Sequence, residues 1–351
     1  MIHVGLDMHK QFSKIEVMDD TGKVLQKTTL YHDNKEEVRQ FFRSVEKPAT
    51  VALEATRSWW WLVDMICEEE GVEVKMAHPY KTKMIGETKI KTDSIDAHVL
   101  AQLERTGFLP ESYVPSKPLR EKRELLRYRL LLVAIRVKLK NRVHDIIDKL
   151  GIVHPFSDLF GTRGIAFLNQ LSLPETYQKE LHRCLETISF LNQKIQEAEQ
   201  EMKQLLKQDE RAALLMTIPG VSYFTAYLLL SEIGEIERFP HARKLCSYGG
   251  LIPSTYQSGN KAYHGHITKE GNKYLRWAMV EAALVAIRKD PALYAFHDKL
   301  KRNKGSGIAI VASARKLLTA VYYILTNGEP YRYNFLSKIH LGKPVGLSDH
   351  Q

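Results

Sequence analysis

Four acidic residues occur where carboxylates could do chemistry together. Asp7 lies in the apolar run IHVGLDM, Glu54 ends the run TVALE, and Asp93 and Asp96 stand three residues apart in KTDSIDAHVLAQL. Residues spaced i, i+3 share one helix face, and an acid inside an apolar strand is costly unless it is paired or binds metal. Carboxylates held close together repel each other, so the set predicts a site for Mg²⁺ or Mn²⁺. Two such metals suit phosphodiester chemistry.

Each acid alone also has an ordinary structural explanation. An aspartate in the first turn of a helix interacts favourably with the helix dipole, and Asp93 could be a simple N-cap. It is the combination of the four, with Asp7 in an otherwise apolar strand, that favours the metal site.

Composition bounds the class of protein. A chain of 351 residues predicts two or three domains. The net charge of +10 and the pI of about 9.2 favour a polyanionic partner such as DNA or RNA. Cys67, Cys184 and Cys246 form no CxxC pair, which indicates reduced thiols without a disulfide or zinc site. With neither a signal-peptide pattern nor an apolar run of membrane-spanning length, we expect a cytoplasmic protein with no membrane partner.

The first hundred residues alternate strands and helices. IHVGLDM, KIEVMDD and KVLQKTTLY predict three strands joined as hairpins, with a turn at Asp20-Thr21-Gly22. A helix capped by Asn34, the strand TVALEA, the helix SWWWLVDMICEEEG ending at Gly71, the strand VEVKMAH and the helix SIDAHVLAQLERTG follow. This is the order of a ribonuclease-H-like fold, in which the first strand, the fourth strand and a later helix bring acids together.

A basic stretch comes next. Between residues 117 and 142, ten lysines and arginines stand against two glutamates, with apolar residues between them. The pattern predicts a long helix with one apolar and one cationic side, which could follow a phosphate backbone. A solvated helix face remains the alternative. The predicted nucleic-acid contacts here are Arg120, Lys122, Arg123, Arg127, Arg129, Arg136, Lys138, Lys140 and Arg142.

A second long helix is predicted from about residue 175 to 211. Its apolar residues recur at spacings of four and three, as in a coiled coil: Cys184, Ile188, Leu191, Ile195, Ala198, Met202 and Leu205. This heptad seam could bind a second copy of the chain or pack against the basic helix. Gly161, Gly164 and Pro174 are expected to break the chain between the two helices.

The C-terminal third contains two further patterns. Pro219-Gly220 separates two helical stretches, which is the shape of a helix-hairpin-helix or of an ordinary helical hairpin. The glycine-rich segment from residue 247 to 276 predicts a functional loop. A Ser-Gly step ringed by lysine and arginine there could present a hydroxyl to a phosphodiester, or the serine could merely cap a turn. IAIVASARKLLTAVYYILTNG predicts a core helix.

The sequence resembles a known family, the DEDD transposases of bacterial insertion sequences. That group includes the Piv-like DNA invertases and the bridge-RNA-guided recombinases. The segments GLDMHK, LEAT and KTDSIDAHVLA carry the resemblance, followed by IPGV, YGGLIPS, SG and GHITKEGNKYLR. They occur in the family's order from Gly5 to about Leu325.

The resemblance implies a fold of class α/β plus α. Residues 1–115 would form a RuvC-like domain, a mixed sheet with helices, whose acids Asp7, Glu54, Asp93 and Asp96 bind Mg²⁺. Residues 116–208 would form the basic helix and a coiled-coil oligomerisation region. Residues 209–351 would form a mostly helical transposase domain with a catalytic serine. That serine maps to Ser258, with Ser254 as the fallback.

The resemblance also implies a mechanism and partners. The acids of one subunit would combine with the serine of another, so we expect a homo-oligomer, a dimer or tetramer. The serine would form a phosphoserine link to donor or target DNA, and a structured RNA would specify the sequences. Such a bacterial enzyme would associate with the nucleoid when acting. Further nucleic-acid contacts are expected at Lys10, Lys91, Lys261, Lys269, Lys273 and Arg276.

Two other hypotheses stay open. One is a RuvC-like metal nuclease that resolves branched DNA by water attack, with Ser258 merely structural. The other is a ribonuclease-H-like binding protein without turnover or a relative of sugar kinases, since GLDMHK also resembles a phosphate-binding first strand.

Overall fold

The computed structural model describes residues 1–56, 58–79, 81–82, 93–258, 261–267 and 269–333. For residues 93–95, 255–258, 261–264 and 266 the description is limited to the backbone. Contacts divide the chain into two compact units, Met1–Lys117 and Pro118–Gln351. The division into three domains expected from the sequence stays a prediction.

A mixed sheet forms the centre of the first unit, with strand order β3-β2-β1-β4-β5-β6. β1 pairs antiparallel with β2 and β2 with β3, whereas β1, β4 and β5 are parallel. The strands are β1 Ile2–Met8, β2 Phe12–Met18, β3 Val24–Tyr31, β4 Ala49–Glu54, β5 Val72–Ala77 and β6 Glu111–Ser112. The first five strands were predicted from the sequence. Strand β6 was not, because two residues are too few to show an alternation of apolar and polar side chains.

Helices among the described residues of this unit cover the two faces of the sheet: α1 Lys35–Ser44, α2 Trp60–Cys67 and α3 Asp93–Arg105. Asn34 caps α1 as predicted, since its side chain accepts a hydrogen bond from the Glu37 N–H. The predicted end of α2 was wrong. Gly71 has φ of +78° and its carbonyl accepts from Ala49 N–H, so it belongs to the turn before β5.

Alternation along the strands separates the two faces of the sheet. Val4, Leu6, Val51 and Leu53 are fully buried in an apolar cluster with the side chains of α1 and α2. Gly5 faces the opposite side, where α3 packs. Helix α3 therefore covers the face on which Asp7, two residues after Gly5, also lies.

Two long helices open the second unit: α4 Lys117–Lys149 and α6 Glu175–Leu206. Leu132 packs with Leu191 and Ile195, while Val143 packs with Cys184 near the other end. The helices are therefore antiparallel. The heptad seam packs against the basic helix of its own chain, which decides between the two alternatives left by its spacing. Leu205, the last predicted seam residue, is 44% exposed.

The segment between these helices differs from expectation. Gly161 and Pro174 stand at breaks as expected, directly before α5 and α6, but helix α5 occupies Thr162–Gln170 and includes Gly164. A Cβ on Gly164 would lie 2.1 Å from the carbonyl oxygen of Leu159, so the glycine allows close packing there. Helix α6 also ends at Leu206, about five residues before the predicted end.

The remaining helices pack around a second apolar core, and two strands form a separate pair. They are α7 Glu210–Met216, α8 Tyr223–Ile233, α9 Ala242–Tyr248, β7 Pro253–Ser258, β8 Lys261–Ile267, α10 Lys273–Ala286, α11 Pro291–Lys304 and α12 Ser306–Asn327. The helix–Pro219-Gly220–helix pattern is confirmed. The predicted long loop was wrong for residues 253–258 and 261–267, which form the antiparallel strands β7 and β8. Its Tyr, Thr and Ile residues favour strands over loop.

Helix α12 has the length and apolar composition to cross a membrane, contrary to the expectation that no segment does. Leu317, Leu318 and Val321 are nevertheless completely buried in the core of the second unit. The prediction of a core helix agrees with that packing, and a core helix passes the same test of length and hydropathy.

Candidate functional site: an acid edge of the mixed sheet

Two of the four predicted acids are neighbours at one edge of the sheet. Leu6 of β1 is paired with Leu53 of the parallel strand β4. Asp7 and Glu54 each follow directly, so they lie side by side where the two strands end. We call this end of β1 and β4 the acid edge. Adjacent strands are about 4.8 Å apart, which is close enough for two carboxylates to share a ligand.

The Asp7 side chain is held by a neighbour. His9 Nε2 lies 3.0 Å from Asp7 Oδ2, and the Asp7 side chain is 19% exposed. The His9 ring stacks on Phe12 with centroids 4.7 Å apart. His9 was missed as a site residue, although its position two residues after Asp7 in GLDMHK was a usable signal.

Helix α3 begins at the acid edge. A Cβ on Gly5 would lie 1.9 Å from Ala97 O, so the helix crosses β1 there in backbone contact. Further along the helix Glu104 hydrogen-bonds to His3, so α3 runs antiparallel to β1. Asp93 lies four residues before Ala97, which is about 6 Å along the helix. Asp7 lies two residues beyond Gly5, which is about 7 Å along the strand.

These distances put the first turn of α3 level with Asp7. Asp93 and Asp96 belong to that turn, and Asp96 is exposed. The backbone therefore brings all four predicted acids to one end of the first unit. Among the side chains that the structure describes, which exclude that of Asp93, no three metal-ligating groups are close enough to hold an ion. The oxygen donors fit Mg²⁺ in kind, and the metal site stays a prediction.

Helix α4 is more structural than its charge suggested. Arg120 and Arg123 are only 4% and 7% exposed. Arg123 donates to the carbonyl oxygens of Ser231 and Glu232 at 2.8 and 3.0 Å. A guanidinium that satisfies buried carbonyls is not available to a phosphate. The expectation of nucleic-acid contact is therefore corrected for Arg123, and for Arg120 the burial of its side chain gives the same correction.

Other arginines of α4 bind its antiparallel partner. Arg129 hydrogen-bonds to Glu199 through Nε and Nη2, and Arg142 hydrogen-bonds to both carboxylate oxygens of Glu180. The carboxylate of Glu180 raises the pKa of Arg142 through these contacts. Arg136 donates to Asn192 Oδ1 at 2.8 Å. These side chains hold the helix pair together, whereas Lys138 is exposed.

The other predicted phosphate contacts lie in different settings. Lys122 and Arg127 are partly exposed, and Arg127 lies 3.8 Å from Glu232. Lys140 lies over the Phe160 ring. Lys10, Lys269 and Lys273 are exposed, and Arg276 donates to Gly249 O. Lys91 lies outside the described residues, and of Lys261 the structure describes the backbone.

The predicted nucleophile lies on the β7–β8 hairpin. Ser258 is the last residue of β7 and is paired with Lys261, so it stands beside the connection between the two strands. Ser254 lies at a register shift near the other end of β7. A Cβ on Gly265 would lie 2.5 Å from Ser254 Oγ, so the missing side chain makes room for that hydroxyl. Ser254 is thus fitted against its partner strand.

A buried polar network between α8 and the start of α10 was not found from the sequence. Glu232 is 1% exposed and its Oε2 accepts from Asn272 Nδ2 at 2.6 Å. Asn272 in turn caps α10 by accepting from the backbone N–H of Tyr274 and Leu275. Glu232 sits in the apolar run YLLLSEIG, where a lone acid was the available signal.

A mixed sheet that ends in neighbouring acids, in a chain of net charge +10, is typical of enzymes that process nucleic acids. Comparison with known proteins gives the family. A model of DEDD transposases of the IS110 type matches residues 4–152, and one of the IS116/IS110/IS902 transposase family matches residues 212–298. The chain belongs to this IS110/IS116 family of DEDD transposases and is a DNA transposase.

Two relatives span nearly the whole chain, and a third covers about a third of it. A transposase of the insertion sequence IS1328 from Yersinia enterocolitica is 26% identical over 93% of this chain and 97% of the relative. A transposase of IS1111A from Coxiella burnetii is 26% identical over 94% of this chain and 91% of its own length. A pilin gene-inverting protein of Moraxella bovis is 36% identical over 35% of this chain and 39% of its own length.

Proposed function

We propose that this transposase cuts and rejoins DNA with a divalent cation held at the acid edge and with Ser258 as nucleophile. The observation that supports the acid half is the pairing of Leu6 with Leu53, which makes Asp7 and Glu54 neighbours. The start of α3 at the same edge adds Asp93 and Asp96. The strand order β3-β2-β1-β4-β5, with its antiparallel and parallel pairs, supports a ribonuclease-H-like, RuvC-like fold for this unit.

The proposed step is a transesterification at phosphorus. A bond forms between Ser258 Oγ and a DNA phosphorus atom, and the bond from that phosphorus to one deoxyribose oxygen breaks. The serine proton ends on the leaving oxygen, which becomes a hydroxyl. Attack by a deoxyribose hydroxyl on the phosphoserine reverses the step and joins a new pair of strand ends. No oxidant or external energy source is needed, because one phosphodiester bond is exchanged for another.

The acid edge supplies the ligands for the cation. Asp7, Glu54, Asp93 and Asp96 offer carboxylate oxygens, the donors that Mg²⁺ and Mn²⁺ prefer. When bound, such an ion would stabilise negative charge on the phosphate and on the leaving oxygen. His9 orients Asp7 through the 3.0 Å hydrogen bond between His9 Nε2 and Asp7 Oδ2.

Trapping tests the serine half of the proposal. The protein is incubated with end-labelled DNA of its own element and Mg²⁺, denatured, and examined for a labelled adduct. We expect an adduct with the wild-type chain and with Ser254→Ala, and none with Ser258→Ala. Cleaved DNA without an adduct, unaffected by Ser258→Ala, would instead favour the RuvC-like nuclease that uses water.

The acid half has its own test. Asp7→Asn and Glu54→Gln should abolish strand cleavage, because each removes a negative ligand at an edge built from two neighbours. Both variants should unfold at a temperature no lower than the wild-type chain, since removing one acid from a repelling set relieves repulsion. Cleavage retained by either variant at saturating Mg²⁺ would contradict the assignment.

We also propose a guide RNA and a homo-oligomer, a dimer or tetramer, as partners. Both rest on the resemblance to RNA-guided members of the family. Sequencing of RNA that copurifies with the protein should return transcripts of DNA flanking its own gene. Light scattering of the RNA complex should give the mass of two or four chains. Because α4 covers the heptad seam of α6, assembly would have to use another surface.

A further inference from the structure

We propose that a polar cavity beside the acid edge binds the phosphate next to the one being cut, with Lys14 as the contacting residue. The inference rests on the proposed function, since it takes the acid edge as the place of cleavage. The cavity has a volume of about 170 Å³ and is lined by Lys14, Ile15, Glu16, Lys27, Thr28, Thr29 and Ala97. Its ligand would be a DNA phosphodiester.

Register places Lys14 beside Asp7. Lys14 of β2 is paired with Asp7 of β1 on one side and with Thr29 of β3 on the other. Directly paired residues of neighbouring strands point to the same face of a sheet. Asp7, Lys14 and Thr29 therefore form one row across three strands, on the face that α3 covers at Gly5.

The neighbouring row closes the cavity. Glu16 is paired with Gly5 and with Lys27, and it is 1% exposed. His98 of α3 binds Glu16 Oε1 at 2.6 Å, and Lys27 lies 2.9 Å from Oε2. Helix α3 thus forms one wall of the cavity, and the open edge strand β3 forms the other.

Charge in the cavity favours an anion. The acid of its wall, Glu16, is already paired by Lys27 and His98. Lys14 donates one hydrogen bond to Thr29 Oγ1 at 2.7 Å, and a hydroxyl does not neutralise an ammonium group. An ammonium group has three donors, so Lys14 keeps donors and a net charge for a ligand in the cavity.

The position of the cavity selects a phosphate of the cut strand. Its row begins at Asp7, so a DNA strand whose phosphate is held at the acid edge would present a flanking phosphate along β2. The hydroxyl of Thr29, which already accepts from Lys14, lies on the same face and can donate to a phosphate oxygen. Lys14 would act as a positioning residue that fixes the register of the strand over the acids.

A double-mutant cycle between protein and DNA tests this. Cleavage is measured with substrates in which one of the two phosphates flanking the cut is replaced by a neutral methylphosphonate. We expect one of these replacements to lower kcat/KM of the wild-type chain roughly 10- to 100-fold, as for loss of a hydrogen bond to a charged group. Lys14→Gln should show the same loss on natural DNA and no further loss on the methylphosphonate.

Matched variants keep the result interpretable. Lys23→Gln, an exposed lysine in the β2–β3 turn at the opposite end of the hairpin, should retain the full sensitivity to the methylphosphonate. Lys14→Arg keeps the positive charge and should also retain the sensitivity to the methylphosphonate. Equal melting temperatures of these variants would show that Lys14→Gln does not act by unfolding.

The outcomes separate this inference from the proposed function. Losses that multiply in the combined experiment, or a Lys14→Gln variant equal to Lys23→Gln, would overturn the phosphate contact. The serine adduct and the need for Asp7 would then still stand. Absence of the adduct in the wild-type chain would overturn the proposed nucleophile, while the cycle could still be measured on cleavage.

Discussion

Gly5 of β1 lies so close to Ala97 of α3 that a β-carbon on the glycine would stand 1.9 Å from the alanine carbonyl oxygen. The same β-carbon would lie 2.6 Å from the backbone nitrogen of Ala101. Backbone atoms of a helix cannot turn aside as a flexible side chain can. The distance between α3 and the sheet, and hence between its first turn and Asp7, therefore depends on a glycine at position 5.

Gly5→Ala should separate α3 from β1 and abolish cleavage. Overpacking lowers the free energy of unfolding by about 1–3 kcal/mol where neighbours can adjust. Because the neighbours of Gly5 are backbone atoms, we expect Gly5→Ala to lie at the upper end of that range. Thermal unfolding and the cleavage assay measure both effects. Gly307→Ala is the control, because nothing lies within 4 Å of its added β-carbon. A Gly5→Ala variant that cleaves DNA normally would contradict this view of the acid edge.

The heptad seam should contribute to folding of a single chain. Ile195 is 5% exposed and packs with Leu132 and Leu191. Ile195→Ala should therefore lower the free energy of unfolding by about 2–5 kcal/mol. Phe190→Ala, five residues before it and 57% exposed, should change it by about 0.5 kcal/mol or less. Dissociation of an oligomer by Ile195→Ala, with the monomer remaining stable, would favour an intermolecular seam.

The buried carboxylate of Glu232 should be essential for stability. Glu232→Ala would remove the partner of Asn272 and leave the guanidinium of Arg123 without its nearby acid at 3.6 Å. Breaking a buried pair in this way costs about 3–5 kcal/mol. Denaturant unfolding measures the loss, and Glu235→Ala at an exposed position serves as control. Equal stability of the two variants would mean that the network carries little free energy.

Local patterns predicted most of the fold. The strands β1 to β5 and the long helices followed from apolar periodicity, and Asn34 was recognised by its capping chemistry. The neighbourhood of Asp7 and Glu54 was predicted as well, because the order of the elements is that of a ribonuclease-H-like fold, in which the first and fourth strands bring acids together. Spacing alone could not decide what the seam of α6 packs against, since an intramolecular and an intermolecular partner require the same heptads.

The arginines of α4 show why site prediction stopped short. Arg123 and Lys138 carry the same charge on one helix, yet Arg123 is buried against two carbonyl oxygens and Lys138 is exposed. Which of them faces outward depends on where α8 packs, and that contact is more than a hundred residues away in sequence. The same holds for Glu232, whose partner Asn272 lies forty residues further on. Long-range contacts of this kind leave no local period.

Acid should weaken the pairing of α4 with α6 through Glu199. Burial alone would raise the pKa of Glu199, but hydrogen bonds from Arg129 and Tyr223 outweigh it and lower the pKa. Burial of Tyr223 and its hydrogen bond to the Glu199 carboxylate raise the pKa of Tyr223 to about 12. A carboxyl with a lowered pKa on folding adds stability above its ordinary value of about 4.3, and that stability is lost as pH falls through the lower value.

The melting temperature of the wild-type chain should therefore exceed that of Glu199→Gln at neutral pH. The difference should shrink as the pH falls below the ordinary glutamate value. Glu201→Gln, an exposed position on the same helix, controls for the loss of net charge. A constant difference across this range would mean that Glu199 stabilises the helix pair through contacts that do not depend on its charge.

The exposed Lys138 should carry more of the DNA affinity than the arginines around it. Arg129 and Arg142 are bound to Glu199 and Glu180, so a phosphate would have to compete with a carboxylate for them. If Lys138 contacts a phosphate, Lys138→Gln should reduce the slope of log K against log salt by about 0.7 to 0.9. Lys207→Gln, exposed just beyond the end of α6, should leave it unchanged. Fluorescence anisotropy over a range of salt concentrations measures the slope for both variants. Equal slopes for Lys138→Gln and Lys207→Gln would indicate that the cationic side of α4 is a solvated face.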